Sequence, residues 1–165
     1  MHGWYILIFI TLGSQKFQFN RLLQEVDRLV GEKVIKDEVF AQVGYSDYIP
    51  QNYRYKEFLD REEFQNIIDK CDIVITHGGT GAIVGSIKKR KKVIAVPRLS
   101  KYGEHVDDHQ VQIVSQFKKM NMILSVNSIS EIKDRLDEIK DKEFREYKSN
   151  TNKIIESLDN FIKNI

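Results

Sequence analysis

The sequence predicts an α/β domain built on a doubly wound, mostly parallel, Rossmann-like sheet with a C-terminal helical tail. Three observations carry this. Tyr5-Ile-Leu-Ile-Phe-Ile-Thr-Leu12 is continuously apolar and β-branched, as a strand covered on both faces must be. Further runs of this kind alternate with stretches whose apolar residues recur at helical spacing. The chain's 165 residues, 41% hydrophobic and 30% charged, suffice for one buried core and would crowd two.

The first strand halts at Gly13-Ser14, and Leu22, Leu23, Val26, Leu29 and Val30 then mark a helix up to Gly31. Val39 to Gly44 returns to strand character before the turn-rich Ser46 to Gln51. Asp60-x-x-Glu63 is a capping box ahead of Phe64, Ile67, Ile68 and Cys71, so a helix should lead into the strand Asp72 to Thr76. Ala82 to Arg90 reads as a helix before the strand Val93 to Val96, and Val111, Val114 and Phe117 as a helix before a strand at Met122 to Val126. Ser128-x-x-Glu131 should cap a further helix with Ile129, Ile132, Leu136 and Ile139 on one stripe. Residues 1–140 are thus expected to form the ligand-binding domain and residues 141–165 a tail, where Ile154, Ile155, Leu158, Phe161, Ile162 and Ile165 make an apolar stripe. That stripe suits either a partner or the chain's own domain.

Composition narrows the function classes. The single cysteine, Cys71, has no partner for an internal disulfide and suits a reducing compartment. The longest apolar run, Trp4 to Leu12, is too short to cross a bilayer and lacks the flanks of a secretory signal, so the chain reads as cytoplasmic. With 26 basic against 24 acidic residues there is no basic excess to suggest nucleic acid as a partner.

Ligands on doubly wound sheets bind beyond the carboxyl ends of the strands. Three segments fall there. In Thr11-Leu-Gly-Ser-Gln15 the glycine turns the chain sharply out of a strand, leaving backbone N–H groups for an anion, although an ordinary strand-ending turn would look the same. Thr76-His-Gly-Gly-Thr-Gly-Ala82 is more specific: it joins a buried strand to a helix, where unpaired N–H groups and the helix dipole favour phosphate. It is neither a P-loop nor a dinucleotide fingerprint. The third is the polar loop Pro97 to Gln110, whose Asp107, Asp108, His109 and Gln110 offer the mixed donors and acceptors that sugar hydroxyls need. His105, Asp107, Asp108 and His109 could instead ligate a metal, but the spacing fits no established site, and none is expected. Asp107 or Asp108 should also cap the next helix. The basic run Lys88 to Lys92 lies at a helix C-terminus on the opposite edge, where positive charge complements the dipole; contact with an anionic membrane is the second reading.

In this order and on these elements, Thr-Leu-Gly-Ser-Gln, Thr-His-Gly-Gly-Thr-Gly and Glu-His-Val-Asp-Asp-His-Gln resemble the C-terminal donor domain of glycosyltransferase family 28 and its GT-B relatives, over roughly Tyr5 to Ile139. The likeness is nearest to the short catalytic subunits of two-component bacterial capsule and exopolysaccharide glycosyltransferases. It extends, more distantly, to the catalytic subunit of the eukaryotic enzyme that adds the second N-acetylglucosamine to dolichol-linked sugar. The resemblance implies that Gly13, Ser14 and Gln15 border the phosphates and reaction centre, and that His77, Gly78, Gly79, Thr80 and Gly81 hold the donor pyrophosphate. Phe58 and Leu59 would cradle uracil, while Asp108, His109 and Gln110 would face the sugar. Larger relatives place an acid for the ribose in the helix after the glycine loop, where this chain has Gly85-Ser86, with Glu104 as a possible substitute.

The implied function is inverting transfer from a UDP-sugar (galactose, N-acetylglucosamine or glucuronic acid) to a lipid-linked acceptor in bacterial polysaccharide synthesis, with no cofactor. Glu104, Asp107 and Asp108 are the candidate bases within this chain. One doubly wound domain supplies only the donor half, so a membrane-associated subunit should bring the acceptor and recruit the chain to the inner face of the cell membrane. The rivals are a non-catalytic nucleotide-sugar-binding regulatory subunit and a UDP-sugar epimerase.

Overall fold

A computed structural model describes residues 5–146 and 148–163. It contains β1 (Leu7–Thr11), α1 (Asn20–Gly31), β2 (Glu38–Gln42), β3 (Arg54–Lys56), α2 (Arg61–Lys70), β4 (Ile73–His77), α3 (Thr80–Lys88), β5 (Lys92–Val96), α4 (His109–Lys119), β6 (Leu124–Ser125), α5 (Ile132–Asp141) and α6 (Ser149–Lys163). The strands form one sheet in the order β3-β2-β1-β4-β5-β6, every pair parallel. That order reverses direction between β1 and β4, so the ligand crevice of such a sheet opens above their carboxyl ends.

Alternation along the strands builds two cores. Ile8 and Ile10 of β1, Val39 and Ala41 of β2 and Ile73 and Ile75 of β4 point to one face, where α1 and α5 cover them with Leu22, Leu23, Val26, Leu136 and Ile139. Phe9, Val74, Val93 and Ala95 point to the other, against Ile68 of α2, Ile83 of α3, and Val114 and Phe117 of α4. Ile155 of α6 is buried in this second core, so the tail docks at least partly on its own domain. Leu158 is half-buried, and Ile165 lies outside the described residues. Cys71 is buried and free.

The Asp60 capping box forms in full, with Glu63 N–H donating to Asp60 and Asp60 N–H to the Glu63 carboxylate. The one expected at Ser128 does not. A 3-10 turn at Ile129–Glu131 intervenes, the Ser128 hydroxyl turns to Ser130, and Glu131 accepts from Asn127 N–H, so α5 starts at Ile132. β3 is an exposed edge strand, Arg-Tyr-Lys, without the apolar alternation that would reveal it in the sequence. The helix expected from Ala82 starts at Thr80, inside the glycine loop itself.

The basic run serves the lower edge of the sheet. Lys91 Nζ donates to the Asp69 and Cys71 carbonyls at the end of α2, and Lys92 Nζ to those of Ile139 and Lys140 at the end of α5. Both lysines therefore occupy orphan carbonyls at helix ends. Among the described residues, no helix is long and apolar enough to cross a membrane.

Candidate functional site

The loops after β1, β4 and β5 meet above the switch point and are locked together by buried polar side chains. Gly13 leaves β1 with φ +75°, and a Cβ there would stand 2.8 Å from His77 Nε2. Here only glycine allows both the left-handed backbone and the imidazole. Ser14 and Gln15 follow with exposed side chains. Behind them Thr76 Oγ1 donates to the Thr11 carbonyl at 2.9 Å, fixing the ends of β1 and β4 against each other.

Gln110, at the start of α4, is the joint between loops. Its Oε1 accepts from Gly78 N–H at 2.9 Å and from Arg98 N–H at 3.0 Å, which leaves its amide nitrogen facing His77 Nδ1 at 3.2 Å. An oxygen that must accept two backbone N–H groups fixes the orientation of the amide. His77 Nδ1 accepts from Gly79 N–H as well, at 3.1 Å, so the ring proton belongs on Nε2, the atom turned toward Gly13. Burial, with the nearby Arg98 charge adding to it, pushes the His77 pKa down to about 4. The imidazole is therefore a neutral donor at physiological pH.

The expectation that Gln110 faces the sugar is corrected here: the side chain is buried and committed to Gly78, Arg98 and His77. Glu104 is corrected likewise. Its carboxylate is fully buried, paired with Arg21 at 2.9 and 3.1 Å and bonded to Leu99 N–H, so it is open neither to ribose nor to an attacking hydroxyl. Asp108 stands at the N-cap of α4 but directs its carboxylate to Ser100 N–H, a backbone bond that holds its pKa low, and helix entry is served by Asp107, which accepts from His109 N–H. Asp107 also approaches the rings of His105 at 3.2 Å and His109 at 3.4 Å. It is thus the one expected acid paired with imidazoles at the loop surface. Among the described residues, no group of three or more His, Cys, Asp or Glu could hold a metal ion.

The glycine loop is crowded where it turns. A Cβ on Gly79 would lie 2.2 Å from His77 Cε1, and one on Gly78 would lie 2.8 Å from Gln110 Cβ. Gly81 and Thr80 differ: both already belong to α3, and a Cβ on Gly81 meets nothing within 4 Å. Gly81 and Gly85 instead open onto a groove of about 360 Å³ between α2 and α3, floored by Phe64 and Ile68. Ser86 also lines it, but its hydroxyl donates back to the Ala82 carbonyl. At the neighbouring corner Phe58 is exposed and edge-on to Tyr45, ring centroids 5.2 Å apart, while Leu59 is half-buried beneath, its N–H on Gln42.

Sequence reasoning missed Arg98 and Tyr45. Arg98 follows Pro97 at the ligand edge, but nothing local signals that an arginine will be buried. Its guanidinium is enclosed, and burial pushes its pKa down to about 10 against the pull of Glu104, leaving it charged.

With the glycine-rich strand-to-helix turn at the switch point of a parallel sheet, the match to known families is decisive: the model for the glycosyltransferase family 28 C-terminal domain covers residues 7–165. The chain belongs to that family. Relatives of this family 28 domain include two proteins named UDP-N-acetylglucosamine transferase subunit ALG13. The one from Candida glabrata is 30% identical over 124 residues, 73% of this chain and 58% of its own length. The one from Kluyveromyces lactis is 31% identical over 102 residues, 58% of this chain and 50% of its own. The domain thus spans little more than half of these relatives. In fold it is similar to the solution structure of ALG13, with a TM-score of 0.63 at 19% identity over 93% of this chain and 94% of that one. It also resembles Acinetobacter baumannii MurG, with a TM-score of 0.59 at 14% identity over 83% of this chain and 42% of that one. The sheet is one Rossmann-like half of the two-domain GT-B architecture.

Proposed function

We propose that this family 28 domain is the donor-binding, catalytic subunit of a split inverting glycosyltransferase that takes a UDP-sugar. The observation that carries the reading is the neutral His77, whose Nε2–H turns to the Gly13 corner beside the glycine loop and the start of α3. Fixed N–H donors and a helix N-terminus gathered at one point suit a leaving diphosphate, whose charge grows as the sugar departs. Gly13 to Gln15 and His77 to Gly81 are the residues proposed to hold it, with Phe58, Tyr45 and Leu59 toward the base. His109, at the loop surface with Asp107, is left as the sugar-facing candidate.

N-acetylglucosamine, the sugar in the relatives' names, is the first candidate donor, and galactose and glucuronic acid are its competitors. The word "subunit" in those names supports a second chain carrying the acceptor. We assign that role to a membrane-associated partner presenting a lipid-linked sugar at the cytoplasmic face. A capsule or exopolysaccharide setting has no support from these relatives. The test is calorimetric titration with UDP and the three UDP-sugars, followed by transfer in the presence and absence of the partner. Binding with no turnover when both substrates and partner are present would reduce the chain to a regulatory subunit; turnover of a UDP-sugar without acceptor would favour an epimerase.

A further inference from the structure

Behind the loop after β1 lies a buried guanidinium, that of Arg98. Arg98 is 1% exposed and makes four bonds, all to main-chain carbonyls: Leu12 at 2.6 Å through Nη2, and Phe17, Gln18 and Glu104 at 3.2, 3.1 and 3.3 Å through Nη1. Phe19 stacks on the guanidinium, 5.0 Å from ring centroid to Cζ. Its Nε has no partner. Burying a guanidinium with one donor unsatisfied is a poor route to stability alone, and such departures gather where geometry serves function.

Two consequences follow from this grip. Carbonyls on both sides of Gly13–Lys16 are pulled to one guanidinium, so the segment between them is a closed bulge projecting at the ligand edge. In a planar trans peptide the N–H lies opposite the C=O, so drawing the Leu12 carbonyl inward turns the Gly13 N–H outward. Charge acts in the same sense. The Glu104 carboxylate is paired directly with Arg21 and acts on Arg98 only through its charge, so it does not fully neutralise both guanidiniums. His77 beside them is neutral. The surplus positive charge, shielded from solvent, favours an anion on the outer side of the loop.

We infer that Arg98 is a positioning residue for the donor's diphosphate: it aims the Gly13 N–H at a phosphate oxygen and supplies the buried counter-charge behind it. Gln110 extends the device, because the same Oε1 holds Arg98 N–H and Gly78 N–H, coupling the bulge to the glycine loop. The inference rests on the proposed donor reading, and its effect must fall on phosphate recognition alone, sparing the nucleoside.

The experiment is an NMR-detected titration of the full chain with UDP and, separately, with uridine, for the wild type, Arg98→Gln and Arg98→Lys. Arg98→Gln should weaken UDP binding at least tenfold and leave uridine within twofold, while Arg98→Lys, which keeps the charge and one carbonyl bond, recovers at least threefold of the UDP loss. In the wild type the Gly13 amide should shift with UDP and stay in place with uridine, a readout that holds even if Arg98→Gln does not fold. Equal losses for UDP and uridine, or a Gly13 amide indifferent to UDP, would make Arg98 a structural residue and overturn the inference. Wild-type protein that binds UDP while both folded variants bind it equally well overturns this inference alone; wild-type protein that binds no UDP overturns the donor reading and this inference with it.

Discussion

Gln110 Nε2 faces His77 Nδ1 across 3.2 Å inside the domain, while Oε1 of the same amide receives N–H groups from Gly78 and Arg98. One side chain thereby fixes the imidazole tautomer and the path of two loops. Gln110→Ala leaves two buried backbone N–H groups without an acceptor, at about 1–3 kcal/mol each. It should lower the free energy of unfolding by roughly 2–6 kcal/mol and weaken UDP and UDP-sugar binding alike. Denaturant unfolding and calorimetry check both parts. Loss of UDP-sugar binding with UDP unaffected would restore the sugar-facing role.

Gly79 and Gly81 should respond oppositely to the same change. Gly79→Ala places a methyl 2.2 Å from His77 Cε1, and displacing the ring should reduce UDP affinity at least tenfold, about 1.4 kcal/mol. Gly81→Ala meets no protein atom within 4 Å inside α3, so it should stabilise the fold by about 0.5–1 kcal/mol where Gly79→Ala destabilises it. Thermal unfolding and UDP titration of the two variants side by side decide it.

Much of this was legible in the sequence. Continuous apolar strands, helical periodicity and glycines at strand ends gave the parallel sheet and put the loops of Gly13, His77 and Gln110 on one edge, because those signals are local. What was not legible is non-local. The burial of Glu104 depends on Arg21, 83 residues away in sequence, and Gln110 turns inward because Gly78, 32 residues earlier, lacks a side chain there. Polar residues in a ligand-edge loop read as ligand contacts until their partners are known. β3 left no trace because an exposed edge strand needs no apolar pattern.

His77 also gives the fold a pH dependence of definite sign. Its pKa is lowered from 6.5 to about 4 by burial, so between these values the unfolded chain binds the proton that the folded one refuses. Stability from this group is present above pH 6.5 and declines as pH falls toward 4. Between pH 7 and 5 the wild type should lose about 2 kcal/mol more than His77→Gln does. Urea unfolding at the two pH values measures the difference, and parallel losses would mean the imidazole is charged in the fold.

Asp27 is a second buried group with the same sense. Burial works to raise its pKa, but bonds from the Tyr48 hydroxyl at 2.6 Å and from the N–H groups of Gln51 and Asn52 outweigh it, and the net shift is downward. Its stabilisation is therefore present above the unfolded carboxylate range and lost as pH falls through the lowered value. Asp27→Ala should cost at least 2 kcal/mol by orphaning those donors. It should also loosen the loop from Tyr45 to Tyr53, read as faster amide exchange at Gln51 and Asn52.

A UDP-sugar's diphosphate seated between the loops of Gly13 and His77, as proposed, must perturb the backbone amides of both. The most direct measurement is an amide chemical-shift map of the isotope-labelled chain during titration with UDP. Saturable shifts should gather at Gly13 to Gln15 and His77 to Gly81, with smaller ones at Tyr45 and Phe58. Shifts confined to the basic edge at Lys88 to Lys92, or none at saturating UDP, would contradict it.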